Sequence, residues 1–175
     1  RQNGIHKRSG QENRGRIAQN RRRIKSGLTF VFWAHLWYSR EYHFLVLMAK
    51  KKVIIFGAAG FVGANLVRRC LQEGAEVVAV DSLHPLLKST KENLQAVMDK
   101  ITFIEGDIRD KKLLQKVVPE AEIIFNCAAQ TSHPLSVQDP VFDTEMTCVG
   151  QLRLLEAMRD FKSKAVLIYP SSTTV

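Results

Sequence analysis

From residue 52 onward the chain alternates between two hydrophobic periods. Short apolar runs rich in β-branched residues occupy 53–56, 77–80, 101–104, 122–125 and 165–169. Runs of this length without polar alternation suit strands buried on both faces, and they predict a parallel sheet. Between them, apolar residues recur three and four apart, which predicts helices over 61–73, 88–99, 110–118 and 141–161. In the last segment the apolar face is carried by Leu152, Leu154, Leu155 and Met158. Strand–helix alternation predicts the α/β class, with a Rossmann-like, doubly wound parallel sheet. No repeat of solenoid length interrupts it.

The first 47 residues follow neither period. Residues 1–27 are rich in Arg, Asn, Gln, Gly and Lys and hold too little apolar surface to offset the entropy of ordering, so they are expected to be disordered. Residues 28–38 and 44–49 are apolar, but Arg40 and Glu41 lie between the two runs. A spanning helix needs roughly 20 continuous apolar residues, so no membrane span is predicted. No small-residue cleavage pattern follows either run, which argues against a secretory signal. The first methionine, Met48, stands directly ahead of the first strand. Residues 1–47 are therefore read as an extension or as upstream sequence translated in frame, and 48–175 as a dinucleotide-binding domain.

Charge sharpens this division. Of the net +9, +8 falls in residues 1–47, where ten Lys/Arg face two Asp/Glu. The remainder is nearly neutral, so the domain itself is not expected to bind nucleic acid or an anionic membrane. A basic leader that contacts RNA or lipid is the alternative for residues 1–47, and it would show steep salt dependence. Cys70, Cys127 and Cys148 have neither disulfide nor zinc spacing, and no metal site is expected. They read as small, mostly buried core residues of a cytoplasmic protein.

The candidate chemistry begins at Gly57-Ala58-Ala59-Gly60-Phe61-Val62-Gly63, between the first strand and the first helix. Glycines there permit a tight turn and a close approach of backbone to a pyrophosphate, with the N–H groups of Phe61, Val62 and Gly63 facing the phosphates. Three glycines also mark ordinary turns, so the flanking strand and helix carry the argument. The second strand ends at Asp81, followed by Ser82. A carboxylate at this point can accept hydrogen bonds from both ribose hydroxyls and would repel a 2′-phosphate, which favours NAD over NADP. The other reading of Asp81 is a turn cap. After the third strand, Gly106-Asp107-Ile108 would lie beside the adenine, with Asp107 accepting from its amine, or would form an ordinary turn. His133 reads as a loop histidine without a second ligand, and Arg109-Asp110-Lys111-Lys112 as the solvated start of a helix.

Taken together with Asn126-Cys127-Ala128-Ala129-Gln130, 136–140, 150–159 and 170–175, these motifs resemble the NAD-dependent epimerase/dehydratase family of extended short-chain dehydrogenases. The resemblance covers 52–175 and is similar in pattern to nucleotide-sugar epimerases. It implies that Cys127, Ala128, Ala129 and Gln130 pass the nicotinamide ribose, and that Ser172 is the catalytic hydroxyl. It further implies a nucleotide-sugar substrate, transient hydride transfer and a homodimer. A reductase acting on a steroid or small carbonyl, and a non-catalytic NAD-binding module, remain as alternatives. Three features depart from the family pattern. Thr147-Cys148-Val149-Gly150-Gln151 replaces Asn-Val-x-Gly-Thr, Asn126 stands where a His is frequent, and the sequence holds no Tyr-x-x-x-Lys. That dyad carries the family's general acid/base, so these residues are expected to form an N-terminal portion that catalyses nothing alone.

Overall fold

The computed structural model describes residues 50–171. Expectations for the basic segment and for Ser172 lie outside the described residues. Five strands, β1 (Lys52–Phe56), β2 (Glu76–Asp81), β3 (Thr102–Glu105), β4 (Ile123–Asn126) and β5 (Val166–Ile168), form one sheet. Every pairing is parallel and the order is β3-β2-β1-β4-β5, so the strand order reverses direction between β1 and β4. In open α/β sheets the crevice at such a reversal is where ligands bind.

Successive side chains of a strand point to opposite faces, and both faces here are apolar. Ile54, Phe56, Val78, Val80 and Ile124 share one core with Leu113, Leu114 and Val117 of α2 (Lys111–Val117) and with Leu154 of α5 (Gly150–Asp160). Helix α1 (Phe61–Gln72) packs against β1 and β2 and buries Ala64, Val67 and Cys70. The helix positions follow from capping as well as from period. Asp110 begins α2 by accepting the Lys112 N–H at 2.8 Å, and Asp139 begins α4 (Pro140–Thr144) by accepting the Phe142 N–H at 2.9 Å.

Four local expectations need correction. The helix expected over 88–99 is a 3₁₀ helix, Lys91–Lys100, that buries only Leu94. Its start is tied to the glycine turn: the Asn93 side chain donates to the Ala59 carbonyl at 2.7 Å, and Arg68 donates to the Asn93 carbonyl. Tertiary tethers, rather than a deep apolar face, set its path. The helix expected over 141–161 is divided into α4, a π-helical turn Glu145–Val149, and α5. A further helix, α3 (His133–Gln138), precedes it, so His133 opens a helix instead of lying in a loop. The cysteines also differ from one another. Cys70 is buried, Cys127 is intermediate and Cys148 is exposed on the π-helical turn.

Candidate functional site

The turn between β1 and α1 is crowded in a way that only glycine satisfies. Gly57 has φ +70°, and a Cβ there would lie 2.6 Å from the carbonyl carbon and oxygen of Cys127, at the end of β4. At Gly63 a Cβ would lie 2.1 Å from the Gly57 oxygen, so α1 could not pack onto the turn. Gly60 is less constrained, at 3.3 Å from the same oxygen. The Gly60 N–H donates to the Gly57 carbonyl at 3.2 Å, closing the turn. The next N–H groups, of Phe61, Val62 and Gly63, belong to the first turn of a twelve-residue helix and have no intrahelical acceptor. No acidic residue occupies that turn, and the Phe61 side chain is 85% exposed. The helix end is thus suited to an anion.

Asp81, at the end of β2, is 5% exposed and braces this turn. Its Oδ2 accepts the Ala59 N–H at 2.8 Å, while Oδ1 accepts the Leu83 N–H and the Ser89 hydroxyl, each at 2.9 Å. A carboxylate offers about four acceptor sites, so it keeps room for one more donor. The two readings of Asp81 are therefore compatible: it caps the local turn and still borders the cleft.

That cleft encloses about 670 Å³ at the reversal of strand order, within the ordinary range for a small-molecule site. One wall is formed by Gly57, Gly60, Phe61, Val62 and Gly63, together with Asp81 and Ser82. Cys127, Ala128, Ala129 and Gln130, after the neighbouring strand β4, line the cleft as well, as does Ile108 after β3. Asp107 is the one described candidate that does not line it. Its carboxylate instead meets Arg109, whose Nη2 lies 2.7 Å from Oδ2 and whose Nε lies 3.0 Å from Oδ1. Arg109 also donates from Nη1 to Glu145 at 2.8 Å, so it is not part of a solvated charge run as expected. Burial raises the Asp107 pKa, but hydrogen bonds from the Arg109 side chain and backbone, with the guanidinium charge, hold it below the usual carboxylate range.

On the β4 side the thiol of Cys127 is pushed up to about 11 by burial and stays neutral at ordinary pH. Gln130, nearly buried, organises the loop beyond it. Its Nε2 donates to the Ser136 hydroxyl at 2.7 Å and the Ser132 carbonyl at 3.0 Å, and its Oε1 accepts the Ser132 N–H. The Gln130 backbone N–H donates to Thr147 Oγ1 on the π-helical turn at 3.3 Å. Sequence reasoning missed Lys88 and Ser89 after β2, and Met146, all of which line the cleft; His133, expected only as a loop histidine, lines it too from the start of α3. A single Lys and a Ser in a polar loop carry no period or spacing signal.

The profile of the NAD dependent epimerase/dehydratase family matches residues 53–175. The chain belongs to that family. It is 33% identical over 130 residues to a CDP-paratose 2-epimerase of Salmonella typhi, covering 71% of this chain and 37% of the relative. It is 40% identical over 111 residues to a UDP-glucose 4-epimerase of Mycolicibacterium smegmatis, covering 62% and 34%. The solved UDP-glucose 4-epimerase of Thermus thermophilus, a complex with NAD, aligns with a TM-score of 0.56 at 35% identity, covering 64% and 35%. The chain thus spans just over a third of the length of the curated relatives it matches.

Within the family pattern, two departures prove to be partners. Asn126, 1% exposed at the end of β4, donates from Nδ2 to Oε1 of Gln151 at 2.5 Å. Its Oδ1 accepts the Ala128 N–H at 3.1 Å and so fixes the backbone that passes Gly57. The residues that replace the family's His and Thr therefore satisfy one another across the β4–α5 interface.

Proposed function

We propose that residues 48–175 hold NAD and form the cofactor half of a nucleotide-sugar epimerase or dehydratase. The observation that carries this reading is the glycine turn. Gly57 and Gly63 leave no room for side chains, and the first turn of α1, whose N–H groups have no intrahelical acceptor and which carries no acidic residue, borders the cleft. NAD supplies the means to take a hydride from a sugar carbon and return it. The chain's own residues bind and orient. The N–H groups of Phe61, Val62 and Gly63 take the pyrophosphate, and Asp81 with Ser82 takes the adenosine ribose. Ile108 packs beside the adenine. Cys127, Ala128 and Ala129 present small side chains and backbone to the nicotinamide ribose, with Gln130 holding their loop. Ser172 is the hydroxyl that bonds the reacting sugar oxygen and passes its proton.

The test is a calorimetric titration of the 175-residue chain with NAD, NADP and ADP-ribose. Saturable NAD binding is expected, with ADP-ribose competing and NADP at least about tenfold weaker because Asp81 opposes a 2′-phosphate. Absence of binding by both NAD and ADP-ribose at millimolar concentration would remove the reading. These 175 residues, which hold no Tyr-x-x-x-Lys, are expected to bind without turning over UDP-glucose.

A further inference from the structure

The family pattern accounts for a carboxylate after β3, but not for what holds it. Asp107 sits between Gly106 and Ile108, both of which line the cleft, yet its own carboxylate is turned onto a guanidinium. Arg109 grips both carboxylate oxygens through Nε and Nη2, and its backbone N–H donates to Oδ1 at 2.8 Å. The remaining arm, Nη1, reaches Glu145 on the π-helical turn at 2.8 Å. Arg109 and Asp107 side chains are each only about a quarter exposed, at 28% and 27%. Close packing supports the same arrangement. A Cβ on Gly150 would lie 2.8 Å from Ile108 Cγ2, so the helix that follows the Glu145 turn presses directly on the loop after β3.

A forked guanidinium fixes a carboxylate in a plane, as a lysine point charge does not. We infer that Arg109 is a positioning residue: anchored by Glu145, it sets the Asp107 carboxylate as the acceptor that distinguishes an adenine amine from a carbonyl at the same position. This inference rests on the cleft's holding NAD. The Arg109 Nε, Nη2 and backbone N–H groups take three of the roughly four acceptor sites of the Asp107 carboxylate, which leaves one for a further donor. Without Arg109 the carboxylate would be free to rotate toward water, and the cleft would lose its preference without losing its shape.

The experiment compares binding of NAD with binding of nicotinamide hypoxanthine dinucleotide, in which a carbonyl replaces the adenine amine. The 175-residue chain is expected to prefer NAD by about tenfold, as one charge-assisted hydrogen bond allows. In Arg109→Gln the preference falls to within about twofold, and Arg109→Lys retains an intermediate value. A role limited to holding the fold would weaken both ligands equally and leave the ratio unchanged, which would overturn the inference. Should Arg109→Gln fail to fold, Glu145→Gln, at a half-exposed carboxylate, carries the test, with the preference reduced about threefold. An unchanged ratio in Glu145→Gln would then overturn it. NAD binding without any preference in the unmodified chain would also overturn the inference while leaving the cofactor reading intact. Failure to bind either dinucleotide would remove both.

Discussion

The two halves of the sheet build their sides of the cleft by different means. Around β1 and β2 the backbone does most of the work. Gly57 and Gly63 are fixed by contacts with main-chain atoms, and Asp81 is held mostly by backbone N–H groups. Around β4 and β5 the wall depends on side chains that meet across the fold. Asn126 bonds Gln151, and Gln130 bonds Ser136 and the hydroxyl of Thr147. A backbone constraint admits one residue type, whereas a side-chain pair can be replaced by another that satisfies the same atoms. The first half should therefore be intolerant at single positions, and the second tolerant of paired exchange.

The largest effect should come from the first half. Gly63→Ala places a Cβ 2.1 Å from the Gly57 oxygen, backbone against backbone, where no side chain can yield. We expect a loss of about 3 kcal/mol or more, beyond ordinary overpacking because the helix itself must move. Gly60→Ala, with 3.3 Å of space and an extended backbone, should cost less than about 1 kcal/mol. Urea unfolding of the two variants measures the contrast. Equal losses would show that the turn, rather than the contact of α1 with it, is what glycine protects.

The same distinction explains what was legible in the sequence. The five strands appear within about one residue of their expected positions. Strands β1, β2 and β4 are buried on both faces and so almost wholly apolar. The edge strands β3 and β5, expected to be buried as well, are only partly covered because each has a neighbour on one side alone. The glycine turn and Asp81 were legible for the reason just given. What could not be read were choices made by distant partners. The 3₁₀ geometry of Lys91–Lys100 follows tethers from Arg68 and Ala59, residues 25 and 34 positions from Asn93. The π-helical turn is invisible in the apolar period of 141–161, which shows where a helix is buried but not how each carbonyl is paired. Likewise, Arg109 looked like one of several surface charges until Glu145, 36 residues on, was brought beside it.

An intermediate effect should test the second half. Gln151→Ala leaves the buried Nδ2 of Asn126 without its acceptor, at a cost of about 1–3 kcal/mol. Asn126→Ala removes that donor and also frees the Ala128 N–H, and should cost a similar amount. If the two residues act as a pair, the double variant loses about 1 kcal/mol less than the sum of the singles. Additive losses in this double-mutant cycle would mean that Asn126 acts through Ala128 alone. The β4 wall would then be built from backbone, as the β1 wall is.

The smallest effect probes a side-chain ion pair on the adenosine side. Asp107 is desolvated, which raises its pKa, but the hydrogen bonds and charge of Arg109 outweigh this and hold it below its ordinary value of 3.8. A carboxyl whose folded pKa is depressed contributes stability above its unfolded pKa and loses it as pH falls through the folded one. At neutral pH the contribution is therefore complete, and solvent at the quarter-exposed pair keeps it under about 1 kcal/mol. Arg109→Gln should show this deficit from pH 7 down to about 4, and the deficit should shrink as pH falls further. Urea unfolding of both proteins along that pH series gives the difference directly. A deficit that stays constant through the acid range would mean that Arg109 stabilises the fold through Glu145 and packing, with Asp107 contributing nothing. Closure of the gap below about pH 4 would instead locate the stabilisation in the Asp107 carboxylate itself, making it the side-chain counterpart of the backbone cradle at Gly57.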